Sequence, residues 1–181
     1  MAILDDLAGH VEQRHHGFLV RQFLRLERLL PRVEAAHWPR HGAMLAQLWD
    51  TFDALKQLVQ SHLAKEEQIL FPTIRRIEAA GTRAVGEVRA PALARMLREL
   101  RSEHEAIRSM LRQWRQITHG YRLPTNACGA FRALYDGLRA VELDLNEHLG
   151  LEEDVLFPRA AGLQRAARAA GVAPAERSVA G

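Results

Sequence analysis

A histidine followed four residues later by a glutamate occurs twice, and its surroundings recur with it. His62-Leu63-Ala64-Lys65-Glu66-Glu67-Gln68-Ile69-Leu70-Phe71-Pro72 is echoed by His148-Leu149-Gly150-Leu151-Glu152-Glu153-Asp154-Val155-Leu156-Phe157-Pro158, an offset of 86 residues (62 to 148). Four residues span about one helical turn, so each histidine and the first glutamate of its pair project from one helix face. Glu67 and Glu153, five residues on, point well around an ideal helix and are expected to meet solvent or a neighbouring basic group. One such pair alone reads as a surface ion pair. Two copies on alternate helices, at core-facing spacing, read as ligands, because buried charges without partners are costly.

The two intervening helices each carry a midway histidine, His16 and His104. Together the interior can then hold four imidazoles and two carboxylates. Such a set suits two metal ions, with two histidines per ion and both carboxylates spanning the pair. One cysteine, Cys128, supplies neither a thiolate cluster nor an internal disulfide. Mixed imidazole and carboxylate ligation fits iron first, then manganese or zinc. At least one coordination position would stay open for a small ligand.

The remaining histidines are less informative. His15 and His16 are adjacent and both border the apolar stripe, so spacing leaves the choice between them open. His10, His37, His41 and His119 fall near helix ends or turns and are expected to face solvent. Tyr135, Glu103 and Glu142 could stand behind the ligands but read better as packing or surface residues, and Cys128 reads better as an inert small residue than as a redox-active thiol.

Four elements must position these groups. Leu19, Phe23, Leu26, Leu30 and Val33 recur at three- and four-residue steps within a first segment, about residues 5–36. Pro31 is expected to kink or end it, and Trp38-Pro39 to make the turn. The second segment, about 40–80, carries Met44 through Ile74. The third, about 92–119, follows a connection from Gly81 in which Pro91 suits a first helical turn. Gly120 and Pro124 precede the fourth, about 126–160. No segment alternates with period two. The expected fold is all-α, an antiparallel up-down-up-down four-helix bundle over residues 1–160, with a flexible Ala/Arg/Gly-rich tail over 161–181.

Composition narrows the function classes. The 181 residues are 48% hydrophobic and 26% charged, enough apolar content for one domain with a core. The net charge of +3 comes from arginines interleaved with 22 acidic residues, without a basic block or many aromatics, which argues against nucleic acid as partner. No apolar run approaches a membrane span, and the acidic start, Met1-Ala2-Ile3-Leu4-Asp5-Asp6, is not a signal peptide. A reducing cytoplasm is the expected compartment.

With these motifs the sequence resembles hemerythrin-like (HHE) domains, and more narrowly the repair-of-iron-centres family of bacterial di-iron proteins. The resemblance spans about residues 5–160. It rests on Arg14-His15-His16, the two His-Leu-x-x-Glu-Glu-x-x-Leu-Phe-Pro motifs, Ser102-Glu103-His104 and Ala127-Cys128. It implies a non-haem di-iron centre with carboxylate and oxo bridges in a four-helix bundle. The family pattern puts the first ligand on the second histidine of the pair, hence His16, followed by His62, Glu66, His104, His148 and Glu152. Oxygen-carrying members have a further histidine and an aspartate where Arg108 and Glu153 stand here, which argues against a reversible oxygen carrier. The spacing also differs from the Glu-x-x-His of ferritin-like proteins. Repair proteins often begin with a small domain bearing paired cysteines, whereas this chain starts at the bundle. The implied role is binding, with or without reduction, of nitric oxide or oxygen under nitrosative and oxidative stress, with damaged iron–sulfur proteins as partners. The alternative is a sensor or store for oxygen, nitric oxide or iron.

Overall fold

Heptad-like spacing of apolar residues makes the described residues helical except for the connection 118–128, and no strand occurs among them. The computed structural model describes residues 4–80 and 90–171. The order is α1 (Leu4–Val11), a π turn (Glu12–His16), α2 (Gly17–Lys65), a second π turn (Glu66–Leu70), α3 (Phe71–Ala80), α4 (Ala90–Ile117), α5 (Gly129–Leu151), a third π turn (Glu152–Leu156) and α6 (Phe157–Gly171). Pro91 lies in the first turn of α4, where its missing N–H costs nothing. The connection expected from Gly81 onward lies outside the described residues up to 89.

Two expectations are corrected here. Helical backbone continues through Pro31, so Pro31 does not end the first segment; it continues through Pro39 as well, although the chain reverses direction there, where the Trp38-Pro39 turn is expected. Leu30 and Val33, both buried, hold the backbone beside Pro31 against the loss of one hydrogen bond. Helical structure also extends past residue 160 to Gly171, where Ala161 and Leu163 pack against buried residues of the core.

Facing partners show how the chain runs. In the first half their separation falls from 74 residues (Leu4 N–H to Glu78) through 51 (His16 to Glu67) to 29 (Lys56 to Glu27). It converges on the region of Trp38 and Gly42. There a Cβ on residue 42 would sit 2.8 Å from the Trp38 ring, so only glycine fits without a shift. In the second half the separation falls from 49 (His104 to Glu153) to 27 (Arg115 to Glu142). Each half folds back on itself. Between the halves, Gly137 of α5 lets Leu26 of α2 approach to 2.8 Å of the place a Cβ would take.

The buried apolar residues form two clusters. One holds Leu19, Phe23, Leu26, Phe52, Val59, Leu63, Ile107, Trp114, Leu145 and Leu149, among others. The second holds Val11, Leu70, Phe71, Leu100, Leu156 and Phe157 with their neighbours. His16 falls between Val11 and Leu19, Glu66 between Leu63 and Leu70, His104 between Leu100 and Ile107, and Glu152 between Leu149 and Leu156. A polar layer therefore divides the hydrophobic interior. No helix among the described residues is long and apolar enough to cross a membrane.

Candidate metal centre

His62, Glu66, His104, His148 and Glu152 are fully buried, and His16 is 3% exposed. Their ligand atoms form two groups, His16/Glu66/His148/Glu152 and His62/Glu66/His104/Glu152, and within each group the ligand atoms lie within 4.8 Å of one another. Both groups use the same two carboxylates. Glu66 faces His16 Nε2 at 3.3 Å and His62 Nε2 at 3.5 Å. Glu152 faces His104 Nε2 at 3.2 Å and His148 Nε2 at 3.0 Å.

Most of these contacts satisfy nothing. Nε2 of His16, His62 and His104, both oxygens of Glu66 and Oε2 of Glu152 are buried without a hydrogen-bond partner. Six convergent orphans cost far more than one, and bound cations would satisfy all of them. The carboxylates point the same way. Burial and the neighbouring Glu152 carboxylate push Glu66 well above the usual range. Burial also acts to raise Glu152, but the His148 imidazole, which hydrogen-bonds it, and the facing His104 and His62 rings outweigh burial and hold that carboxyl well below its usual range. Two adjacent buried carboxylates cannot both ionise without positive charge, which metal ions supply. Burial likewise lowers His16, the hydrogen bond to Glu67 opposing it. The donor set fits two cations.

All three π turns touch this layer: His16 ends one, and Glu66 and Glu152 begin the others. Such wide turns recur at functional sites. Pro72 and Pro158 follow two of them, each withdrawing an N–H and crowding the preceding turn. The angular argument placing Glu67 and Glu153 away from the site assumes an ideal helix, and the widened turn brings each back. Glu67 accepts from His16 Nδ1 at 2.7 Å. Glu153 accepts from His104 Nδ1 at 2.8 Å, and also pairs with Arg108, the expected basic neighbour.

The family model of the hemerythrin HHE cation binding domain matches residues 8–160. The chain belongs to the hemerythrin HHE family. Among curated relatives, the iron-sulfur cluster repair protein YtfE of Edwardsiella ictaluri (strain 93-146) is 35% identical over 161 residues, covering 89% of this chain and 67% of that protein. The proteins of the same name from Yersinia pseudotuberculosis serotype IB (strain PB1/+) and Yersinia pestis (strain Pestoides F) are each 32% identical over 157 residues, covering 87% of this chain and 66% of theirs. The chain thus spans about two thirds of the length of these relatives.

In this HHE domain carboxylates stand behind three of the candidate ligand histidines. Glu103, read as packing or surface, accepts from His62 Nδ1 at 3.0 Å and pairs with Lys65. Burial raises its carboxyl, but those two partners outweigh it and hold it low. Carboxylates on the far ring nitrogen fix a ligand histidine's orientation. Phe71 stacks on His16 (ring centroids 5.8 Å apart) and Phe157 on His104 (5.3 Å), so the Leu-Phe-Pro ending covers the site as well as the core. The available signal was the repeat itself, which includes both Glu-Glu pairs and both phenylalanines.

Among the other histidines, His10 and His119 are exposed as expected and His41 is half-buried. His37 is buried, not solvent-facing, because it packs on Phe131 and contacts Cys128 Sγ at 3.2 Å. His15 is buried as well, joins neither ligand group, and bonds Asp144. Tyr135 and Glu142 keep structural roles, against Phe131 and with Arg115.

Proposed function

We propose that this protein is a non-haem di-iron protein of the nitrosative and oxidative stress response, built on an antiparallel up-down-up-down four-helix bundle and resident in the cytoplasm. His16 and His148 would hold one iron, His62 and His104 the other, and Glu66 and Glu152 would serve both. The observation carrying this reading is that two buried His₂Glu₂ groups share both carboxylates while most of their ligand atoms stay unpaired. Iron bound there would supply the redox chemistry and a position for nitric oxide or oxygen. The chain supplies the rest. Glu67, Glu103 and Glu153 aim three of the rings, Phe71 and Phe157 keep water off two of them, and Glu66 gives up its proton to let both carboxylates ionise. The relatives named for iron–sulfur cluster repair favour damaged iron–sulfur proteins as the clients.

Metal analysis with an optical spectrum of the oxidised protein tests the centre. Two irons per chain with an oxo-to-iron band are expected, and His62→Ala should lose them. A protein without near-stoichiometric metal, or unchanged metal in His62→Ala, refutes the reading. Anaerobic titration with nitric oxide then separates turnover from storage. Nitrous oxide released over many cycles marks a reductase, and stable stoichiometric binding marks a sensor or store.

A further inference from the structure

The internal repeat reaches the residues behind the ligand histidines and fails at one position. His16 corresponds to His104, Glu67 to Glu153 and Phe71 to Phe157, with matching contacts in both halves. His62 corresponds to His148. Glu103, just before His104, anchors His62. The residue just before His16 is His15, so the matching place behind His148 holds an imidazole instead of a carboxylate.

The geometry follows from that exchange. His15 is fully buried, shares its Nδ1 with Asp144 at 3.0 Å, and lies parallel to the His148 ring, 5.3 Å away at 6°. His148 Nδ1 is left buried without a hydrogen-bond partner. A parallel stack restrains the tilt of a ring, but lets it turn in its own plane and places no negative charge behind the metal-facing nitrogen. His62 and His104 both have a carboxylate there. Of the other pair only His16 does.

We infer that the two iron positions are unequal, that the His16/His148 position is the one that releases its ion, and that His15 sets the difference as a positioning residue acting through His148. This rests on the di-iron reading above and adds which ion a client would receive. Losing one outer partner of a ligand typically weakens metal binding about 10–100-fold. A donor with one loose and one firm ion can give up iron while the firm ion still holds the polar layer together.

The test is chelation kinetics. Protein loaded anaerobically with two equivalents of ferrous iron is mixed with ferrozine in a stopped-flow instrument. Wild type is expected to release one equivalent in each of two phases, with rates about 10–100-fold apart. His15→Glu returns an acceptor to His148 and should slow the fast phase. Glu103→His imposes the same arrangement on His62 and should speed the slow phase, giving a mirror-image test if His15→Glu fails to fold. Both ions leaving wild type in a single phase overturns the inequality, and phases unmoved by either variant overturn the role of His15. A wild type that holds fewer than two irons overturns the di-iron reading, and this inference with it.

Discussion

Replacing Glu66 by glutamine should stabilise the metal-free protein and destroy the metal-bound one. Glu66 is fully buried, its oxygens are unpaired, and burial together with Glu152 pushes its carboxyl well upward. Protonating an ordinary glutamate at pH 7 costs about 3.7 kcal/mol, which caps what the wild type loses to this group. A glutamine carries no such cost, and its amide can donate to Glu152 or to an imidazole lone pair. We expect a metal-free gain of about 1–3 kcal/mol at pH 7, or about 2–4 °C in Tm per kcal/mol for a chain of this size. The sign with pH is fixed. A carboxyl raised in the folded state contributes fully below its unfolded pKa, and that contribution is lost as pH rises through the folded value. The gap between variant and wild type should therefore close as pH falls toward the ordinary glutamate range. Adding ferrous iron should reverse the order. Glu66 belongs to both ligand groups, so the variant gains nothing, while wild type gains about 4.1 kcal/mol at free iron 1,000 times its Kd. Thermal melts of both proteins, with and without iron, at several pH values, decide it. A metal-free Glu66→Gln less stable than wild type at pH 7 refutes the reasoning.

Other outcomes follow from the packing. Phe52→Ala removes a buried ring that lies 6.0 Å from Phe23 and 6.2 Å from Trp114, and should cost about 3–5 kcal/mol in chemical denaturation. Both tyrosines are held above their ordinary range by burial, Tyr135 up to about 12 and Tyr121 further, Glu142 adding to the latter. An ultraviolet titration should show no tyrosinate near pH 10 while the protein stays folded. The neutral phenols contribute stability below the unfolded tyrosine pKa, and it is lost as pH rises beyond, so alkaline melting and tyrosinate absorbance should appear together.

The sequence made the candidate ligands legible for a physical reason. A four-residue step fixes a shared face whatever the tertiary context, so the His62/Glu66 and His148/Glu152 pairs could be paired from spacing alone. The supporting carboxylates were hidden for the opposite reason. Glu67 and Glu153 reach their histidines only because the helix widens at Glu66 and Glu152, and Glu103 reaches His62 across two elements. His15 and His16 share a stripe, and the structure separates them by their partners, Asp144 for one and the ligand groups for the other. Pro31 ends no helix because packing of Leu30 and Val33 outweighs one missing hydrogen bond, whereas Trp38-Pro39 falls where the chain reverses.

Each ligand group draws one histidine from the first half of the chain and one from the second: His16 with His148, and His62 with His104. A half-length ancestor carrying a single copy of the motif would have owned no complete site. It would have needed a second copy of itself, with each ion seated on the twofold-related seam and every ligand supplied in duplicate. Within one chain the two halves are free to differ, and His15, where the second half has Glu103, is one place where they do.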